Sequence, residues 1–185
     1  MELGVVVFEL TDACNQACKF CYNHFKGASG YCTPEPPDFR VAERTLKRLL
    51  NEASIASLSI SGGEPMLMPR IHDLVLKARF AGANVNVLTN GTLLKDDDIA
   101  IFNDLGVAMI QIPILSTDAA THDALTSFSG SWERATTAAR KVAVKRAGWL
   151  APVLILTRQN LATIESTLEL YAELGATNIL VNRFN

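Results

Sequence analysis

The chain has 185 residues, of which 49% are hydrophobic, and a formal net charge of −2, so it is long enough for one domain with a sizeable core. Acidic and basic residues are mixed along the chain, which argues against a nucleic-acid partner or an anionic membrane surface. No apolar run reaches the roughly 20 residues of a spanning helix, and the N-terminus lacks the basic segment of a secretion signal. Four cysteines do not make a disulfide scaffold, and they predict a reduced, cytoplasmic location.

Six short runs of apolar and β-branched residues predict strands. They are Val5 to Leu10, Leu58 to Ser61, Val85 to Leu88, Val107 to Leu115, Val153 to Leu156 and Ile179 to Val181. Near-continuous apolar runs are typical of strands that are buried on both faces of a parallel sheet.

Apolar residues at helical spacing fill the five gaps between these runs. The first helical pattern follows Asp38, a residue type that caps helix N-termini. Four of the patterns end at glycines that can close a helix in the left-handed conformation, namely Gly82, Gly106, Gly148 and Gly175. Strands that alternate with helices predict a parallel sheet with right-handed crossovers and with its chemistry at the carboxyl ends of the strands.

Three of the four cysteines lie within eight residues, in the sequence CNQACKFC at positions 14 to 21, directly after the first predicted strand. An odd number of cysteines cannot close into disulfides among themselves, so the cluster indicates a metal. Zinc takes four ligands in a structural site, and Cys32 or His24 offers the fourth. A 4Fe–4S cluster held by three thiolates leaves one iron open. The cysteines alone leave both metals possible.

Five short motifs, each behind a predicted strand, together resemble the radical S-adenosylmethionine superfamily and its SPASM-type branch, which modifies peptides and matures cofactors. The motifs are CxxxCxxC with Phe20 before the third cysteine, Ser61 to Pro65 (SGGEP), Thr89 to Thr92 (TNGT), His122-Asp123 with Gly130 to Trp132, and Thr157 to Asn160 (TRQN). Each motif is weak by itself, and their order along the chain gives the resemblance its weight.

The resemblance implies an α/β fold, a partial (β/α)6 barrel of parallel strands with outer helices, over residues 1–185 as one core domain. Many members of the branch continue into a cysteine-rich C-terminal extension. The sequence ends directly after the sixth predicted strand, so we expect a minimal enzyme, a part of a longer protein or one half of a split system. The implied function is reductive cleavage of S-adenosylmethionine by one 4Fe–4S cluster. The resulting 5′-deoxyadenosyl radical would abstract hydrogen from a peptide or a cofactor precursor.

The resemblance also implies the residues of the site. Cys14, Cys18 and Cys21 would hold the cluster. Glu64 would accept from the ammonium group of S-adenosylmethionine, and Gly62 and Gly63, which have no Cβ, would let the backbone approach it. The remaining implied cofactor contacts are Phe20 and Tyr22 beside the adenine and Asn90 as a polar contact.

The fourth predicted strand departs from the pattern of the branch. Relatives often carry a serine that contacts the ribose of the cofactor, and Pro113 stands at that position. Gln111 faces the same way along a strand and is a candidate replacement. Thr126 stands where a basic residue is common. For His122, a hydrogen bond to loop backbone is favoured over a contact with substrate or cofactor.

The implied partners are a peptide or small-molecule substrate and a one-electron donor such as a flavodoxin or ferredoxin. Two rival interpretations remain. A non-catalytic electron-transfer or metal-binding module would need the cysteines without Glu64 or Asn90. A degenerate member of the family would bind S-adenosylmethionine without cleaving it.

Overall fold

The computed structural model describes residues 1–22, 37–145, 149–176 and 178–183. Three residues that figured in the sequence-based predictions, His24, Cys32 and Gly148, lie outside these ranges. No helix within the described ranges is long and apolar enough to cross a lipid bilayer.

Six strands form one sheet in which each strand pairs with the next one along the chain, always in parallel. The strands are β1 (Glu2–Glu9), β2 (Ser54–Ser61), β3 (Asn84–Leu88), β4 (Met109–Pro113), β5 (Trp149–Leu156) and β6 (Leu180–Arg183). Because β1 and β6 are the two ends of this order, the sheet is an open half-barrel with helices on its outer face. The predicted partial (β/α)6 barrel is confirmed.

In the described part of the chain, six α-helices lie between the strands: α1 (Phe39–Glu52), α2 (Ile71–Phe80), α3 (Asp96–Asp104), α4 (Ala119–Thr126), α5 (Ser131–Lys145) and α6 (Ile164–Glu173). Asp38 caps α1 as predicted, since its carboxylate accepts from the backbone N–H of Arg40 at 2.8 Å. Gly82, which follows α2, has the positive φ of 88° that the glycine pattern required. Helix α4 was not predicted from the sequence.

The two faces of the sheet differ. On the convex face, Leu58 and Ile60 are completely buried beneath the helices. On the concave face, Val5 is 72% exposed and Val7 is 59% exposed, and their register partners on β2 are serines. The prediction of strands that are buried on both faces is therefore wrong for β1, which lies at the open edge of the half-barrel. It is confirmed for β5, where the consecutive residues Leu150 and Ala151, and Val153 and Leu154, are buried.

Candidate functional site

A cavity of about 320 Å³ lies at the carboxyl ends of the strands, where a parallel α/β sheet places its ligands. Nine of the ten site residues predicted from the sequence line it: Cys14, Cys18, Phe20, Cys21, Tyr22, Gly62, Gly63, Asn90 and Gln111. The tenth, Glu64, does not. The topology thus brings residues from four separate loops and strands to one place.

The cysteine loop, residues 10–22, carries three half-buried cysteines, and none of them is in a disulfide. Helix α4 supports the loop from below, because the carbonyls of Leu125 and Thr126 accept from the backbone N–H groups of Lys19 at 2.9 Å and Ala17 at 3.2 Å. The cysteine loop is therefore held by backbone hydrogen bonds to the C-terminal end of α4.

The GGE loop, residues 62–64, packs directly on the cysteine loop. The N–H of Gly63 donates to the carbonyl of Thr11 at 2.6 Å, and the N–H of Glu64 donates to that of Ala13 at 2.8 Å. A Cβ added at Gly62 would lie 2.5 Å from the Thr11 oxygen, and one at Gly63 would lie 2.1 Å from the Ala13 oxygen. The glycines are thus required for the close approach of the two loops.

The carboxylate of Glu64 is completely buried and turned toward the protein. It accepts from the hydroxyl of Thr89 at 2.6 Å and the N–H of Asn90 at 2.7 Å, and from the N–H of Met66 at 2.9 Å. Burial raises the pKa of this carboxyl to about 7, and the three donors oppose that rise. Three of its roughly four acceptor positions are therefore used by the protein, which favours a positioning role. The predicted contact with the cofactor ammonium stays a prediction.

The TNG loop, residues 89–92, is joined to the cysteine loop by Asn15. The amide of Asn15 donates to the hydroxyl of Thr92 at 2.8 Å, and its carbonyl oxygen accepts from the amide of Asn90 at 2.8 Å. Because Asn90 also lines the cavity, Asn15 helps to set its orientation. The sequence analysis missed Asn15. Its signal in the sequence was its place: Asn15 is a polar residue next to Cys14, in a loop expected to meet the TNG loop at the carboxyl ends of the strands.

A further part of the cavity lining, called the β4 wall, is formed by Gln111, Pro113, His122 and Thr126. The Nδ1 atom of His122 accepts from the backbone N–H of Leu115 at 3.1 Å, the loop contact that the sequence favoured. Burial lowers the pKa of His122 to about 4, and the charge of Asp123 only partly opposes this, so the ring is neutral at pH 7.

Asp123, the second residue of the HD motif, anchors the start of α5. Its carboxylate accepts from the backbone N–H groups of Gly130 at 2.6 Å and Trp132 at 2.8 Å, and from the hydroxyl of Ser131 at 2.9 Å. These hydrogen bonds lower the pKa of Asp123, although its burial opposes them. Asp123 therefore joins α4 to the start of α5 and supports the position of His122, although it does not itself line the cavity.

The donor set fits an iron–sulfur cluster and a small organic cofactor. Three cysteine thiols line the cavity, and a 4Fe–4S cube takes one thiolate at each of three separate irons. The cavity volume lies within the range of roughly 300–1,000 Å³ that is usual for small-molecule sites.

Comparison with known proteins gives the family. The model of the radical SAM superfamily matches residues 8–180, and the chain belongs to that superfamily. An AdoMet-dependent heme synthase of Methanosarcina barkeri is 32% identical over 93% of this chain and 48% of its own length. The sporulation killing factor maturation protein SkfB of Bacillus subtilis is 28% identical over 91% of this chain and 39% of its own length. The chain spans less than half the length of these two relatives.

Solved structures share the fold. Streptococcus suis SuiB bound to its precursor peptide SuiA superposes with a TM-score of 0.80 at 17% identity, over 100% of this chain and 40% of SuiB. SuiB bound to S-adenosylmethionine gives a TM-score of 0.78 at 18% identity, over 100% of this chain and 41% of SuiB. Membership of the superfamily implies an iron–sulfur cluster and S-adenosylmethionine, and the arrangement of residues described above fits both.

Proposed function

We propose that the chain is the core of a radical S-adenosylmethionine enzyme that abstracts hydrogen from a peptide or a cofactor precursor. The observation that carries this proposal is the convergence of three cysteines and six predicted cofactor residues on one cavity. When bound and reduced, a 4Fe–4S cluster supplies the electron that cleaves S-adenosylmethionine to methionine and a 5′-deoxyadenosyl radical.

The residues of the chain would bind and orient the cofactor and limit its access to water. Cys14, Cys18 and Cys21 would hold the cluster. Gly62, Gly63 and Asn90 would contact the methionine end of S-adenosylmethionine, and Glu64 would hold the GGE and TNG loops in register. Phe20 and Tyr22 would lie beside the adenine, as their place on the cavity wall allows.

A peptide is the substrate that the similar proteins favour. SuiB has been solved bound to its precursor peptide SuiA, and SkfB is named as a maturation protein. A one-electron donor such as flavodoxin or ferredoxin would complete the reaction.

Anaerobic reconstitution followed by iron and sulfide analysis and a chromatographic assay for 5′-deoxyadenosine tests the proposal. We expect one 4Fe–4S cluster per chain and 5′-deoxyadenosine after reduction. Cys18→Ala should lose both. Cys32→Ala is the matched control and should keep both, whereas a zinc site with Cys32 as fourth ligand would lose its metal in each variant. A parent protein that holds the cluster but forms no 5′-deoxyadenosine would favour the electron-transfer module.

A further inference from the structure

One edge of the half-barrel has no neighbouring strand. Among the described residues, β1 pairs with β2 alone. The N–H of Leu10, directly after β1, donates to the carbonyl of Ser61 on β2 at 2.9 Å. Because the backbone groups of successive strand residues point to opposite sides, those of Val5 and Val7 point away from β2. The upper half of β1 therefore presents outward-facing backbone donors and acceptors, which can pair with an added strand.

The sequence of this edge does not carry the features with which natural sheets prevent such pairing. β1 reads ELGVVVFE, so its interior has neither the lysine nor the proline that commonly protects an edge strand. The side chains of Val5 and Val7 are more than half exposed on the concave face. An apolar edge of eight residues is a liability unless a partner pairs with it, which indicates that this edge has a partner.

A groove of about 240 Å³ lies on the convex side of the same edge, between β1 and α1. Its lining includes Phe8, Val41 and Thr45, and Val41 is 54% exposed. The side chains of a strand added to β1 would alternate between the two faces of the sheet. One set would lie beside the exposed valines of the concave face, and the other set would enter the groove. The edge therefore fits an extended segment with apolar side chains on both faces.

A separate peptide fits this edge better than a second copy of the chain does. In a symmetric pairing of two β1 edges, the strand beside the groove would be β1 of the other copy. The convex residues of β1, Val6 and Phe8, already pack against the core of their own copy, so they cannot enter the groove of a neighbour. A peptide has no core of its own, and its side chains are available on both faces.

The edge leads to the cavity. Tyr22, which lines the cavity, donates its hydroxyl to the carboxylate of Glu9, the last residue of β1, at 2.7 Å. We propose that an apolar, extended segment of the substrate peptide binds as a seventh strand along the free edge of β1, next to the part of the peptide that enters the cavity. This inference rests on the proposed function, and it separates the segment that is recognised from the residue that reacts.

Hydrogen–deuterium exchange of the reconstituted, anaerobic protein tests the proposal. The probe is a capped synthetic peptide with two lysines at each end and four alternating valines and leucines between them. At ten times its Kd, exchange of the outward-facing amides in residues 1–10 should slow about 10-fold, because roughly one site in ten is then free. The same peptide with a central proline is the control ligand, since proline has no N–H for the pairing, and it should give no protection.

Two variants block the edge in different ways. Val7→Pro removes one outward-facing N–H at a position where an edge strand accepts proline. Val41→Asp places a charge in the groove, and an acidic side chain is favourable in the first turn of α1, so this variant keeps the test valid if Val7→Pro does not fold. Each should weaken binding of the probe by about 10-fold or more. Val144→Lys is the matched control, because it replaces an 82% exposed valine on α5, and it should bind the probe as the parent does.

The inference is overturned if the probe does not protect β1, if the proline peptide protects it equally, or if both edge variants bind the probe as tightly as Val144→Lys. Sedimentation that shows a dimeric parent and a monomeric Val7→Pro variant would assign the edge to a second copy and would overturn it too. A parent that forms 5′-deoxyadenosine while β1 stays unprotected overturns only this inference. Protection of β1 in a protein that forms no 5′-deoxyadenosine would leave the edge as a peptide site and overturn the proposed function.

Discussion

Two parts of the cavity lining differ in how their polar side chains are hydrogen-bonded. On the interlocked side, which comprises the cysteine, GGE and TNG loops, polar side chains mostly satisfy one another, and Glu64 has three protein donors. On the β4 wall, Nδ1 of His122 accepts from the N–H of Leu115 and the hydroxyl of Thr126 donates to the carbonyl of His122, so the hydrogen bonds join α4 to its own surroundings and do not link separate loops. We infer that the interlocked side fixes the positions of the loops, whereas the β4 wall is free to contact the ligand.

Removing Glu64 should have the largest effect, because it breaks the interlocked side at its centre. Glu64→Ala leaves three buried donors without an acceptor, and we expect the free energy of unfolding to fall by about 3 kcal/mol or more. Affinity for S-adenosylmethionine should fall by roughly 10-fold, because the GGE and TNG loops are no longer held in register at the cavity, whereas cluster loading should persist. Urea unfolding, iron counts and calorimetric titration measure the three quantities.

Glu52→Ala is the matched control for Glu64→Ala. Glu52 is an exposed glutamate that pairs with Arg48 on α1 at 2.8 Å, and exposed pairs contribute about 1 kcal/mol or less. Its loss should change neither the affinity nor the iron content. Equal affinities in the parent and Glu64→Ala would mean that the GGE loop does not position the cofactor site.

The pH dependence of stability should come next in size, and it reports on the β4 wall. The pKa of His122 is lowered by burial from 6.5 to about 4, so between these values the unfolded chain binds a proton that the native chain does not. Stability from this group is fully present above pH 6.5 and is lost as pH falls through 4, by about 3 kcal/mol in total. Urea unfolding at pH 7.5, 6.5, 5.5 and 4.5 should show His122→Asn losing less stability than the parent. Parallel curves for the two proteins would contradict the buried, neutral ring.

Much of the site follows from the sequence because motif residues sit where parallel strands end, and strand order alone brings them together. The direction of the Glu64 side chain does not follow, since it depends on where β3 places Thr89 and Asn90 relative to the GGE loop. The difference between the two faces had a visible signal in β2, where SIASLSIS alternates polar and apolar residues, although Ser59 and Ser61 are buried. The contact between Asn15 and Asn90 joins positions that are 75 residues apart, and no local pattern encodes it.

The smallest expected effect comes from Asn15→Ala, and it tests most directly whether the link between the loops sets cofactor binding. Asn15→Ala and Asn86→Ala each remove a half-buried amide that makes two side-chain hydrogen bonds, to Thr92 and Asn90 in the first case and to Ser57 and Ser59 in the second. Each variant should lose about 1–2 kcal/mol of stability, because a net hydrogen bond contributes about 1 kcal/mol. Only Asn15→Ala should also weaken S-adenosylmethionine binding, by about 5-fold, since it frees Asn90 at the cavity wall whereas Asn86 lies deeper on the concave face. Calorimetric titration measures the affinity, and urea unfolding measures the stability. An equal loss of affinity in both variants would show that a general loss of stability, rather than the link between the loops, weakens cofactor binding.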